Sequence, residues 1–278
     1  MPNSISDNLQ RLQTARTGIA NAITAKGGTV GSNDGFEEYL ENAINRGIEE
    51  ITFTEHMTMP EDIVIEGMGD DFLESVSPSI ENIDKYIKEV KYYKEKYKDK
   101  IKINIGLEVD YLDGYEEFTI KMLDKYGDLL DDAILSTHIG IYEGKYYCFD
   151  CIESFEELLK RIGSVEKIYS LYYNTVLKSI KSNLGKFKPK RIGHPTLVRI
   201  FNKKYPANYS NIKLFQEIMD EINKGNYEID YNTAGLRKEF CGEPYPSGEF
   251  YEMAIKNNVK MVYGSDSHFA KDVGFNFK

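Results

Sequence analysis

The 278-residue chain has no tryptophan, only three cysteines and only four histidines. No apolar run approaches the roughly 18 residues that a membrane-spanning helix needs, so a membrane protein is not expected. The opening Met-Pro-Asn-Ser has no basic start and no continuous apolar stretch behind it, which excludes a secretory signal. Three cysteines, an odd number in a chain this long, argue for a reducing compartment rather than a disulfide framework, and the cytoplasm is the expected location. Basic clusters are missing and the net charge is −10, which argues against nucleic acid or an anionic membrane as partner. A small phosphorylated substrate is still permitted, because bound cations override the global charge locally. No Gly-rich dinucleotide or P-loop motif opens a helix, and no G-x-S-x-G elbow marks a serine hydrolase.

The apolar pattern supplies the architecture. Residues 4–25 read as a helix, with Ile5, Leu9, Leu12, Ile19 and Ile23 on one stripe, and KGGTVGSND (26–34) breaks it. A second helix is expected over 36–45, with Gly47 ending it. Six strand candidates follow: 51–56, 101–111, 132–138, 191–195, 227–235 and 259–268. Helical stretches, among them 79–98, 154–184 and 209–224, separate most of them. Such alternation means parallel strands with crossover helices, either an open doubly wound sheet or a barrel.

The polar residues favour the barrel. His56, His138, His194 and His268 each stand at the C-terminal end of a strand candidate; Glu108 ends another, and Asp266 precedes His268 by two. Strand C-termini and the loops after them build the active site of parallel α/β barrels. Residues two apart on a strand face the same way, so Asp266 and His268 go together; adjacent Glu55 and His56 cannot both point inward, and His56 is taken as the ligand with Glu55 as its support. Imidazole and carboxylate without thiolate suit Zn, Mn or Fe as divalent ions, which would activate water and neutralise phosphoryl oxygens. Arg199 and Arg237 follow strand ends, where each could clamp a phosphate or form an ion pair. The C-x-x-C of Cys148 and Cys151 has no second cysteine pair beside it and is read as structural.

The ordered set TEH (54–56), GLEVDY (106–111), STH (136–138), IGHP (192–195), YNTAGLRK (231–238), EPYPS (243–247) and GSDSH (264–268) resembles the polymerase-and-histidinol-phosphatase (PHP) superfamily, and within it the histidinol-phosphatases, over about 35–278. The resemblance implies a distorted (β/α)7 barrel, up to three metal ions, and hydrolysis of L-histidinol phosphate to L-histidinol and phosphate in histidine biosynthesis. It implies Glu108, Asp266 and His268 as catalytic residues. Glu108 would bridge two metals, one shared with Asp266 and the other with His138 and His194, while His56 and His268 would belong to a third.

The chain departs from that family at its start. The family opens on a strand carrying H-x-H, but no histidine precedes His56 here, and residues 1–34 look instead like phage tail or other phage structural proteins. The expectation is therefore a barrel lacking its first strand, incomplete at both ends and preceded by a helical leader, with fewer than three metals and impaired catalysis. Two alternatives go with it: a non-catalytic, degenerate relative, and a phosphoesterase of the same fold acting on another phosphorylated substrate.

Overall fold

The computed structural model describes residues 20–21 and 35–277. The helix expected over 4–25 lies outside the described residues, apart from Ala20–Asn21, which form a two-residue strand, β1. Helix α1 (Phe36–Asn45) agrees with its pattern and buries Tyr39, Leu40 and Ala43; Gly47, at φ 72°, makes the left-handed turn after it.

All six expected strands form, as β2 (Glu50–His56), β3 (Lys102–Asp110), β4 (Asp132–Ser136), β7 (Arg191–Ile192), β8 (Glu228–Asn232) and β9 (Met261–Gly264). With β1 they make one parallel sheet in the order β1-β9-β8-β7-β4-β3-β2. The sheet curls until β1, at one end of that order, lies beside β2, at the other. This closure sets aside the open doubly wound sheet. Among the described residues, Ala20–Asn21 hold the place of a first strand.

Helices wrap the outside: α2 (Phe72–Val76), α3 (Ile80–Lys96), α4 (Glu116–Tyr126), α5 (Ile152–Ile162), α6 (Val165–Lys181), α7 (Ile212–Lys224) and α8 (Gly248–Lys256). The single helix expected over 154–184 is two. Gly163 at φ 87° ends α5, and Ser164 Oγ accepts the Lys167 N–H to start α6. Ring contacts of Tyr173 with Phe215 and Phe250 lock α6, α7 and α8 together. The core is continuous from Leu40 and Phe53 through Leu107 and Leu135 to Ile229, each essentially without solvent contact. Burying each such side chain is worth about 1.5–3 kcal/mol.

One element was not expected. After His138 the chain forms an antiparallel hairpin, β5 (Ile139–Tyr142) and β6 (Lys145–Cys148), turning at Glu143 and Gly144, both at positive φ. Its far end carries a disulfide between Cys148 and Cys151, while Cys241 is free and buried.

Candidate metal centre

Strand register assembles the centre. His56 at the end of β2 is directly opposite Glu108 on β3, and Asp110, two residues on, is opposite Ser136 at the end of β4. Period two puts Glu108 and Asp110 on one face. The ladder continues past the strands through Met57 N–H to Glu108 O (2.8 Å), Tyr111 N–H to Ser136 O (2.9 Å) and Gly193 N–H to Leu135 O (2.9 Å), so the loops carrying the ligands leave the sheet in fixed positions. His194 follows β7 at φ 24°; its carbonyl accepts from the Tyr172 hydroxyl, which in turn accepts the Leu197 N–H, each at 3.2 Å.

Four of the expected side chains meet. Glu108 Oε1 is 3.0 Å from His194 Nε2 and 3.6 Å from His138 Nε2, and Glu108 Oε2 is 3.9 Å from His56 Nε2. The Ser136 hydroxyl donates to Glu108 Oε1 at 2.5 Å and orients it. Glu55 points the other way, its carboxylate accepting the His56 backbone N–H at 3.1 Å, so this contact is with the backbone and not with the imidazole it was expected to support.

The motif reading missed Asp110. One oxygen accepts from His56 Nδ1 at 3.1 Å and the other from His138 Nδ1, so a single buried carboxylate ties two imidazoles by the nitrogens facing away from Glu108. The alternation in GLEVDY was the available signal, since it places Asp110 beside Glu108.

Asp266 and His268 follow β9 and stand as a pair, Oδ1 to Nε2 3.4 Å. Among the described residues, the His/Asp/Glu groups whose ligand atoms lie within 4.8 Å of one another are His56–Asp110–His138 and Glu108–His138–His194. Asp266 and His268 belong to neither, although Asp266 lies close enough to His194 to feel its charge. Neither arginine is free. Arg199 makes a two-pronged pair with the Glu243 carboxylate. Arg237 Nη2 donates to the carbonyls of Ser265 (2.7 Å) and Asp266 (3.1 Å), holding the Asp266 loop in place.

The electrostatics follow from crowding charge in a buried mouth. Burial opposes ionisation of Glu108, but His56, His194 and His138 outweigh it and hold the carboxyl down at about 2. Burial likewise opposes the His56 imidazolium, yet Glu108 and Asp110 raise it to about 9. Burial alone dominates at Asp230, deep on β8, whose carboxyl is pushed up to about 6.

The donor set fits a divalent cation. Tetrahedral bonds of 2.0–2.2 Å place neighbouring ligand atoms about 3.4 Å apart, and the spacings of 3.0 and 3.6 Å around Glu108 Oε1 bracket that. His194 Nδ1 and Asp230 Oδ1 are buried with no hydrogen-bond partner among the described residues, further unmet polar demand beside the centre.

A model of the PHP domain matches residues 29–234. The histidinol-phosphatase of Bacillus subtilis (strain 168) is 38% identical over 251 residues, spanning 89% of this chain and 92% of that protein. A crystal structure of a Listeria monocytogenes protein assigned to the histidinol phosphatases superposes with TM-score 0.85 at 31% identity, covering 93% of this chain and 97% of that one. The histidinol phosphate phosphatase of Lactococcus lactis, solved with zinc, L-histidinol and phosphate, shares the fold at TM-score 0.62 and 22% identity, over 91% of this chain and 87% of that one.

Proposed function

Because the chain belongs to the PHP domain family, in its histidinol-phosphatase branch, we propose that it hydrolyses L-histidinol phosphate to L-histidinol and phosphate at a divalent-metal centre. The observation that carries this reading is the convergence of His56, Glu108, His138 and His194 on one mouth at ligand spacing. In this reading the phosphoesterase unit is residues 35–278 together with β1, whose pairing with β9 makes Ala20–Asn21 part of the barrel.

Glu108, His138 and His194 would hold one cation, and His56 would contribute beside Glu108. A cation there supplies activation of water and neutralisation of phosphoryl charge. The chain's own residues do the positioning. Asp110 accepts both Nδ1 protons, which leaves the Nε2 lone pairs of His56 and His138 aimed at the mouth. Ser136 holds the Glu108 carboxylate, and the Tyr172 hydroxyl holds the loop of His194. Arg237 fixes the Asp266 loop, so Asp266 and His268 face the substrate side as acid–base groups or as a weaker cation site. Because Arg199 is occupied by Glu243 and Arg237 by backbone carbonyls, their part in phosphate binding is the setting of loops, with Lys238 near Asp266 as the exposed cation.

Phosphate release from L-histidinol phosphate, measured with Mn²⁺ or Zn²⁺ and with His138→Ala as control, tests the reading. Release no faster than the control rejects it. Turnover of other phosphomonoesters in its place selects a phosphoesterase of different substrate.

A further inference from the structure

The C-x-x-C motif has no place in the phosphoester chemistry, yet its setting is specific. Cys148 ends β6 and is only 2% exposed, whereas Cys151 is partly exposed and stands immediately before the eleven-residue helix α5. The turn between them is held from three sides. Cys148 N–H donates to Ser154 Oγ at 2.9 Å, Phe149 N–H donates to His138 O at 2.8 Å, and the buried Phe149 ring packs on Tyr172. The two sulfurs are consequently kept in bonding contact as a disulfide.

The two cysteines are chemically unlike. The Cys151 side chain makes no capping hydrogen bond at the start of α5, so on reduction its sulfur stands at the positive end of a helix, where a thiolate is favoured. Cys148 Sγ lies 3.0 Å from Asp150 Oδ1, a carboxylate placed to take the thiol proton when the pair is reduced. An accessible sulfur at a helix start beside a buried sulfur with its own base is the division of labour of an attacking and a resolving cysteine.

We propose that Cys148, Asp150 and Cys151 form a thiol–disulfide exchange centre that takes low-molecular-weight disulfides as its oxidant. The Cys151 thiolate attacks one sulfur of the external disulfide RSSR; the S–S bond breaks, a Cys151–S–S–R mixed disulfide forms, and RS⁻ leaves with the electron pair. Cys148 passes its proton to Asp150 and attacks Cys151 Sγ. The intramolecular disulfide forms and a second RS⁻ departs, so two cysteines are oxidised as one RSSR is reduced to two thiols.

The test uses the whole reduced protein, oxidised glutathione as the probe, quenching by alkylation, and peptide mapping by mass spectrometry, which also separates Cys241. Wild type should close the 148–151 bond without accumulating an adduct. Cys148→Ser should trap one glutathione on Cys151, while Cys151→Ser should react about tenfold more slowly. Asp150→Asn should form the mixed disulfide at the wild-type rate but resolve it about tenfold more slowly, a split that a merely structural carboxylate would not produce. Failure of wild type to close, or equal trapping on both single-cysteine variants, overturns the proposal.

Discussion

Replacing Asp110 with asparagine isolates what its carboxylate does, because volume and shape hardly change. The native carboxylate accepts from two imidazoles at once, one at each oxygen. An amide has one oxygen and one NH₂, so it can accept from only one of them. The other histidine meets a donor and must carry its proton on Nε2 instead, the nitrogen that faces Glu108. One imidazole is thereby withdrawn as a ligand, and the remaining one loses a charged partner. Loss of such a supporting carboxylate typically weakens metal binding about 10- to 100-fold, or roughly 1.4–2.8 kcal/mol. The assay is a competition titration with a coloured chelator on wild type, Asp110→Asn and Asp110→Ala, followed by phosphatase kinetics with saturating metal. Much of the lost kcat should return at high metal in Asp110→Asn. Affinity within twofold of wild type would refute the argument that this residue sets the imidazoles.

The pH dependence follows from His56, whose folded-state pKa of about 9 exceeds its ordinary 6.5. Its stabilisation of the metal-free protein is full below pH 6.5 and is lost as the pH rises through 9, so denaturation midpoints should fall over that window while metal affinity rises. Calorimetry in buffers of different ionisation enthalpy at pH 7.5 should show proton release on metal binding, and none would contradict it. Gly106 on β3 has no room for a Cβ, which would lie 2.8 Å from the Phe53 carbonyl and 2.7 Å from Thr52, so Gly106→Ala should cost about 1–3 kcal/mol in urea denaturation. Arg237→Met frees the carbonyls of Ser265 and Asp266 and should lower kcat/KM about tenfold without matching loss of stability; Arg237→Lys should restore only part of it, since one ammonium cannot reach both carbonyls and the Asp272 carboxylate that Arg237 Nε faces at 3.5 Å. Chelator competition should be stepwise, with one cation per chain held at Glu108, His138 and His194 long after the rest are stripped; three equally tight cations would count against this.

The parallel strands were legible in the sequence because strands buried on both faces write themselves as largely apolar runs, while the choice of a barrel over an open sheet came from the polar residues at their ends. TFT (52–54), INIGLEV (103–109) and AIL (133–135) could hardly be anything else. The hairpin 139–148 was not legible as part of that rhythm. It is antiparallel, half-buried and inserted between β4 and α5, and its only local signal is Glu-Gly between two tyrosine-bearing runs. At the site, position along a strand could be read, but reach could not. Four side chains at strand ends do converge, whereas Asp266 and His268 occupy equivalent places in the text and stand aside. The Arg199–Glu243 pair and the Arg237 bonds to the Ser265 and Asp266 carbonyls depend on where the loop 234–247 packs, which no periodicity records.

That division has a cause in the sheet. His194, His138, Glu108 with Asp110, and His56 come from β7, β4, β3 and β2, four strands that are consecutive neighbours in space. Each is paired to the next by backbone hydrogen bonds, so the ligand positions are fixed relative to one another by the same ladder that holds the core. Asp266 and His268 leave from β9, which pairs with β8 on one side and with the two residues of β1 on the other. These four neighbouring strands therefore carry the ligand atoms that lie at coordinating distance, whereas Asp266 and His268 belong to no such group among the described residues. Metal binding should therefore be graded around the mouth as a consequence of sheet order, firmest at Glu108, His138 and His194.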